Sequence, residues 1–167
     1  RVYNLMNSEN EITKPKIEKL TEEEKPRIIV TTKEFELIIV NASEHLKKFM
    51  LLMKYTGGRP SEILRIQGKH IINGKIVFEH TKTNKIRNIP IHEKIKYIIN
   101  DLQFNEYAVN YDYKPLNATA IRIALTRLCK RLGMTRNITP YCLRHTFATE
   151  LIDQTDIYSL MTLLGHS

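Results

Sequence analysis

The chain has 167 residues, of which 42% are hydrophobic, and Lys plus Arg exceed Asp plus Glu by 26 to 18, for a formal net charge of +8. That length and apolar content exclude a disordered tail and suit one domain with a proper core, and no apolar run approaches the roughly eighteen residues of a membrane-spanning helix. The cation excess points to a polyanionic partner, nucleic acid ahead of an acidic membrane surface.

Residues 1–27 are polar and charged, punctuated by Thr13-Lys14-Pro15-Lys16, and Arg1 to Asn10 lack the apolar core of a signal peptide. They read as a linker arriving from something upstream. From Ile28 onward the apolar periodicity tightens. A helix is predicted from Thr32 to about Val40, and a second after Ser43 as N-cap, with Leu46, Phe49, Met50 and Met53 on one stripe. Gly57-Gly58 ends it in a left-handed cap. Arg59 then stands at a helix-to-helix corner, with Pro60 opening a short helix that buries Ile63, Leu64 and Ile66.

The period then shortens to two. Ile71 to Phe78 predict a hairpin around Asn73-Gly74, a dipeptide suited to the positive φ angles of a type I′ turn. After a polar turn at Lys82 to Lys85, Arg87 to Ile91 supply a third strand. Helices follow at His92 to about Phe104, Asn117 to Gly133, from Thr139-Pro140, and from Asp156 to Gly165, with a tyrosine-rich loop (Tyr107, Tyr111, Tyr113) between the first two. The expected fold is α+β, mostly α, with one small three-stranded antiparallel sheet.

On the helix after Asn117, Ile121, Leu125, Leu128, Cys129 and Leu132 share one face and Arg122, Arg127, Lys130 and Arg131 the other. Such a cluster is either a solvated face or a phosphate-contacting one. No acidic residue interrupts it, which favours phosphate. Cys129 and Cys142 are the two cysteines, and both lie in apolar helical patterns. They read as packed free thiols in a reducing, cytoplasmic setting. Cys142, His145 and His166 lack zinc-site spacing, so no metal is expected.

Three segments carry candidate chemistry. In Thr56-Gly57-Gly58-Arg59-Pro60-Ser61-Glu62, the corner arginine can offer its fork to two phosphate oxygens, and Glu62, a turn later, can hold that guanidinium or cap its own helix. In Thr81-Lys82-Thr83-Asn84-Lys85-Ile86-Arg87, a turn lysine among other cations suits proton donation. In Thr139-Pro140-Tyr141-Cys142-Leu143-Arg144-His145-Thr146, Tyr141 and Arg144 lie a turn apart and can address one ligand, while His145 reads as a packed histidine. His166 follows the glycine that ends the last helix, which frees its ring from the helix axis. Each segment alone is a common surface pattern; their order and spacing carry the signal.

Taken in order, these segments resemble the tyrosine recombinases, the phage-integrase family, from about residue 30 to the end. Thr-Gly-x-Arg-x-Ser-Glu is similar to that family's first-arginine box, and Thr81-Lys82-Thr83 with Arg87 and Ile89-Pro90-Ile91 to its hairpin-lysine motif. Leu143 to Thr149 and Leu164-Gly165-His166-Ser167 are similar to its second box. The resemblance implies site-specific DNA recombination or integration through a 3′-phosphotyrosyl bond, with no cofactor, in a bacterial or phage-encoded enzyme. Arg59 and Arg144 would clamp the scissile phosphate, Lys82 (preferred over Lys85 by alignment with the motif) would protonate the leaving 5′-oxygen, and His166 would donate a further hydrogen bond.

Lys85, Arg87, Arg122, Arg127, Lys130 and Arg131 are expected to contact double-stranded DNA. By the same resemblance, residues 1–27 are the linker from an N-terminal core-binding domain. Residues 28–167 are then a catalytic domain incomplete at its C-terminus, because the nucleophilic tyrosine is expected after Ser167. Such a fragment would be monomeric and cleavage-inactive, and its full-length parent tetrameric on DNA. Tyr141 departs from the pattern, standing where the family most often has histidine. The competing reading is a non-catalytic DNA-binding regulator or a decayed recombinase.

Overall fold

A helix buried on nearly every side organises the structure. The computed structural model describes residues 27–79, 86–111, 114–152 and 155–164. Helix α1 (Thr32–Asn41) starts at a capping box in which the Glu34 amide donates to Thr31 Oγ1 at 3.3 Å and the Thr31 amide to Glu34 Oε2 at 2.9 Å. Helix α2 (Glu44–Thr56) carries the predicted stripe, and Phe49, Met50, Leu52 and Met53 are wholly buried. A helix apolar on most of its circumference belongs in a core, and each of those side chains contributes about 1.5–3 kcal/mol of transfer free energy.

Gly57 closes α2 at φ +61°, its amide donating to the Met53 carbonyl at 3.1 Å. Thr56, fully buried, shapes the corner that follows, since its hydroxyl donates to the Leu52 carbonyl (2.7 Å) and accepts from the Gly58 amide (3.1 Å). The short helix α3 (Pro60–Ile63) then begins with proline at its first turn.

Strands β1 (Ile71–Ile72), β2 (Lys75–Phe78) and β3 (Arg87–Pro90) form an antiparallel sheet in that order. Asn73 and Gly74 sit at φ 49° and 71°, as a type I′ turn requires. In the β2–β3 register Phe78 faces Arg87 and Ile76 faces Ile89. The polar turn expected at Lys82 to Lys85 lies outside the described residues.

The helix expected from His92 to Phe104 is much shorter. A single 3₁₀ turn, Glu93–Ile95, runs into α4 (Lys96–Ile99), and the chain then turns. The carbonyls of Phe104 and Glu106 accept from the amides of Lys69 (2.7 Å) and Gly68 (3.1 Å), and the Asn105 carbonyl from Gln67 Nε2 (2.8 Å). Backbone groups that could have continued the helix are thus taken by residues 67–69. The tyrosine-rich segment also has order that its sequence did not suggest. Tyr107 bridges to Gln67, and β4 (Asn110–Tyr111) pairs with β5 (Lys114–Pro115).

Helix α5 (Ala118–Arg131) is capped by Asn117 and followed by Gly133 at φ 67°. Helix α6 (Pro140–Ile152) packs along α2, and α7 (Ile157–Leu164) packs on α6 through Phe147, Leu160 and Leu164. The segment before α1 is tied to α6, where the Val30 amide donates to the buried Thr146 hydroxyl at 2.9 Å. The architecture is therefore mostly helical with one three-stranded antiparallel sheet, as expected. No helix among the described residues is long and apolar enough to cross a membrane.

Candidate active site

Three arginines and one glutamate from three elements, α3, β3 and α6, converge beside the α2–α3 corner. Arg59 is the N-cap of α3, with its side chain about one-fifth exposed. Its amide donates to Glu62 Oε2 at 2.6 Å, and its Nη1 to Glu62 Oε1 at 3.0 Å. Glu62 therefore does both things its spacing allowed, capping its own helix and holding the corner guanidinium. It is only 5% exposed. Burial alone would raise its carboxyl, but hydrogen bonds and charge from Arg87 and Arg59 outweigh that and hold it below the ordinary glutamate value.

Arg87 is the second partner of that carboxylate. Its Nη1 reaches Glu62 Oε1 at 3.1 Å and its Nη2 reaches Oε2 at 2.5 Å, a fork-on-fork pair. Its guanidinium lies over the Phe78 ring, 4.4 Å from the centroid. Arg87 was expected on a DNA-contacting surface; the structure places it inward instead, 4% exposed on the same face as Ile89. Period-two alternation along β3 was the signal for that burial: Arg87 and Ile89 share the inner face, Asn88 and Pro90 the outer.

Arg144 comes from α6 and is 6% exposed. Its Nη1 donates to the Gly57 carbonyl and its Nη2 to the Leu164 carbonyl, both at 2.5 Å. It therefore ties the α2 cap to the end of α7. Burial, then the charges of Arg59 and Arg87, lower its pKa to about 10, against opposing contributions from Glu62 and Tyr141. Arg59, Arg87 and Arg144 together leave an excess of positive charge over the single Glu62 carboxylate at this corner.

Gly57 permits this closeness. Its φ of +61° suits glycine, and a Cβ there would stand 2.2 Å from Phe147 Cδ1. No sequence pattern announces that the Gly57 carbonyl receives an arginine. A second unforeseen pair is Lys54 with Glu150, linking α2 to α6, with the Lys54 ammonium 5.6 Å from the Phe35 ring centroid. A lysine on the buried helix α2 is the signal that could have found it.

Tyr141, one turn before Arg144, is 53% exposed. His145 is half-buried, and burial, then Arg27 and Arg144, lower its pKa below the ordinary histidine value. Arg122, Arg127, Lys130 and Arg131 are all exposed on α5, opposite the buried Ile121, Leu125, Leu128 and Cys129. Arg131 also donates to the Asn41 carbonyl at 3.4 Å. Lys82, Lys85 and His166 lie outside the described residues.

The sequence matches the family model described as "Phage integrase family" over residues 18–167. The integrase of Escherichia phage P2 is 30% identical over 151 residues, covering 89% of this chain and 43% of that protein. Tyrosine recombinase XerC of Staphylococcus epidermidis is 35% identical over 133 residues, covering 72% of this chain and 45% of that protein. The chain thus spans less than half the length of these curated relatives.

Among solved structures, the Tn1549 transposon integrase in complex with transposon right end DNA superposes at TM-score 0.74 with 20% identity, covering 89% of this chain and 60% of that one. A lambda integrase dimer bound to a COC′ core site gives TM-score 0.73 with 21% identity, over 87% and 60%. At such identities these structures speak for the fold, while the sequence match speaks for descent. With the fold, the sequence boxes and the match all agreeing, the chain belongs to the phage integrase family, the tyrosine recombinases.

Proposed function

We propose that this chain is the catalytic domain of a site-specific DNA recombinase, cutting and rejoining double-stranded DNA by transesterification. The observation that carries this reading is the convergence of Arg59 and Arg144, from separate elements, on the corner that Gly57 caps. Phosphoryl transfer builds charge on the non-bridging oxygens, and donors fixed in advance stabilise that charge without reorganising.

In this reading a tyrosine oxygen attacks the scissile phosphorus, and the bond to the 5′-oxygen breaks. Lys82 gives that oxygen its proton. Arg59 and Arg144 hold the phosphate, with His166 as a further donor. Tyr141 stands where the family most often has histidine, and its phenol can donate a hydrogen bond.

None of the eight tyrosines follows Leu164-Gly165-His166, where the resemblance puts the nucleophile. The full-length protein that carries this chain is expected to act on double-stranded DNA as a tetramer. A lambda integrase tetramer bound to a Holliday junction has the same fold, at TM-score 0.70. Residues 1–27 serve as the linker to an upstream core-binding domain, and the family match begins inside them, at residue 18.

The test is covalent trapping. The full-length protein that carries this chain is mixed with nicked suicide duplexes from the flanks of its own gene. An SDS-resistant adduct that vanishes in Arg144→Ala is the expected result. DNA binding with no adduct would overturn it and favour a non-catalytic DNA-binding regulator, with Tyr141 the first residue to examine.

A further inference from the structure

We propose that Arg87 is a positioning residue for Arg59, acting through the Glu62 carboxylate that the two share, and is not itself a DNA contact. The inference rests on the recombinase reading only for its kinetic consequence; the geometry stands without it.

Two guanidiniums meet one carboxylate in different ways. Arg87 approaches Glu62 with both terminal nitrogens, one to each oxygen, from a site 4% exposed. Arg59 approaches with one nitrogen at 3.0 Å and its own amide at 2.6 Å. Of the two side chains, Arg59 reaches the surface, 20% exposed against 2% for Arg87. The buried fork fixes the plane of the carboxylate. That plane in turn sets where the Arg59 guanidinium lies.

The cost of the arrangement supports this assignment. Arg87 Nε is buried with no hydrogen-bond partner among the described residues, and an unsatisfied buried donor is destabilising. Buried ion pairs are also poor stabilisers beside well-packed apolar residues of similar volume. What the pair supplies is orientation. Arg87 opens β3, lies over the Phe78 ring of β2, and reaches across to α3, so the sheet sets the angle of the corner arginine. A methyl-scale misplacement of a clamping group lowers a reaction rate far more than it lowers affinity.

The test uses the full-length protein with Arg87→Lys, which keeps the charge and loses the fork, and Arg87→Met. Cleavage of the nicked duplex is expected to fall about 10- to 100-fold in Arg87→Lys, with DNA affinity and its salt slope unchanged. In an Arg59→Lys background, Arg87→Lys is expected to add no further loss. A salt slope reduced by about one would make Arg87 a phosphate contact and overturn the proposal, as would losses that multiply in the double variant.

A DNA-free arm follows the Glu62 side-chain carboxyl by NMR through a pH titration. The groups to assign around it are Arg59 and Arg87, Arg144 near by, and Arg65, His70 and Glu79 of the adjoining cavity. The Glu62 titration is expected to move to higher pH in Arg87→Met, or in Arg87→Lys should the first variant not fold. An unmoved titration would overturn the proposal. If the unmutated protein makes no adduct, the recombinase reading fails alone, and this arm still decides the role of Arg87.

Discussion

Glu62 shows how much a single buried carboxylate can organise. It caps α3, holds the corner arginine and anchors the first residue of β3, all with two oxygens. Removing its charge leaves Arg87 buried beside Arg144 with no counter-ion, so Glu62→Gln should destabilise the fold by about 3–5 kcal/mol at neutral pH. The sign of the pH dependence follows from the direction of its shift. Its pKa in the folded protein lies below the unfolded value. Its contribution is therefore complete above the ordinary glutamate value of about 4.3 and is lost as pH falls through the folded value. Urea unfolding from pH 7 to pH 3 should show a constant gap between wild type and Glu62→Gln down to about pH 5, narrowing below it. A gap that stays constant to pH 3 would contradict this assignment.

At the scale of elements, the short α4 and the segment after it show tertiary pairing overriding helical periodicity. Residues 104–106 lie beside 67–69 because Gly68 lets the backbones touch. A Cβ on Gly68 would stand 2.3 Å from the Gln103 carbonyl oxygen. Gly68→Ala should therefore push the two segments apart and destabilise the fold by about 1–3 kcal/mol. Hydrogen exchange reads the effect locally. The Lys69 and Gly68 amides, which donate to Phe104 and Glu106, should lose protection ahead of the α2 amides. Equal loss across the chain would mean that this pairing is not a separate unit. Helix α7 is the other thinly held element, docked by Phe147, Leu160 and Leu164. Its last described carbonyl, Leu164, receives Arg144, so the position of the Arg144 side chain and the docking of α7 are coupled.

At the scale of the whole molecule, the +8 charge is spread over at least two places with different work. The arginine cluster at the α2–α3 corner is buried and directional. The α5 face is exposed, and its Arg122, Arg127 and Lys130 project away from the core. If that face tracks a DNA backbone, reversing Arg122 and Arg127 to Glu should weaken binding similarly for all duplex sequences and reduce the salt slope by about one per lost phosphate contact. Fluorescence anisotropy across a salt series measures both. An unchanged slope would assign α5 to solvation and leave the corner cluster as the anion-binding surface.

Much of this protein is set locally and is legible in its sequence. Asn73-Gly74 imposes its turn, Gly57 its left-handed cap, Pro60 the start of α3 and Asn117 the start of α5, because each depends on the φ preferences or side-chain reach of one or two residues. The apolar stripes of α2 and α5 follow from helical periodicity in the same way. The spacing of Arg59 to Glu62 is one helical turn, so their contact too is local. What the tertiary structure alone decided is which partners the polar groups find across long separations. Arg87 turns inward to Glu62, Arg144 spans Gly57 and Leu164, and residues 104–106 leave the helix for 67–69. A buried hydrogen-bonding group must be satisfied by whatever the fold brings within about 3 Å, and that depends on packing between elements, which no short stretch of sequence encodes.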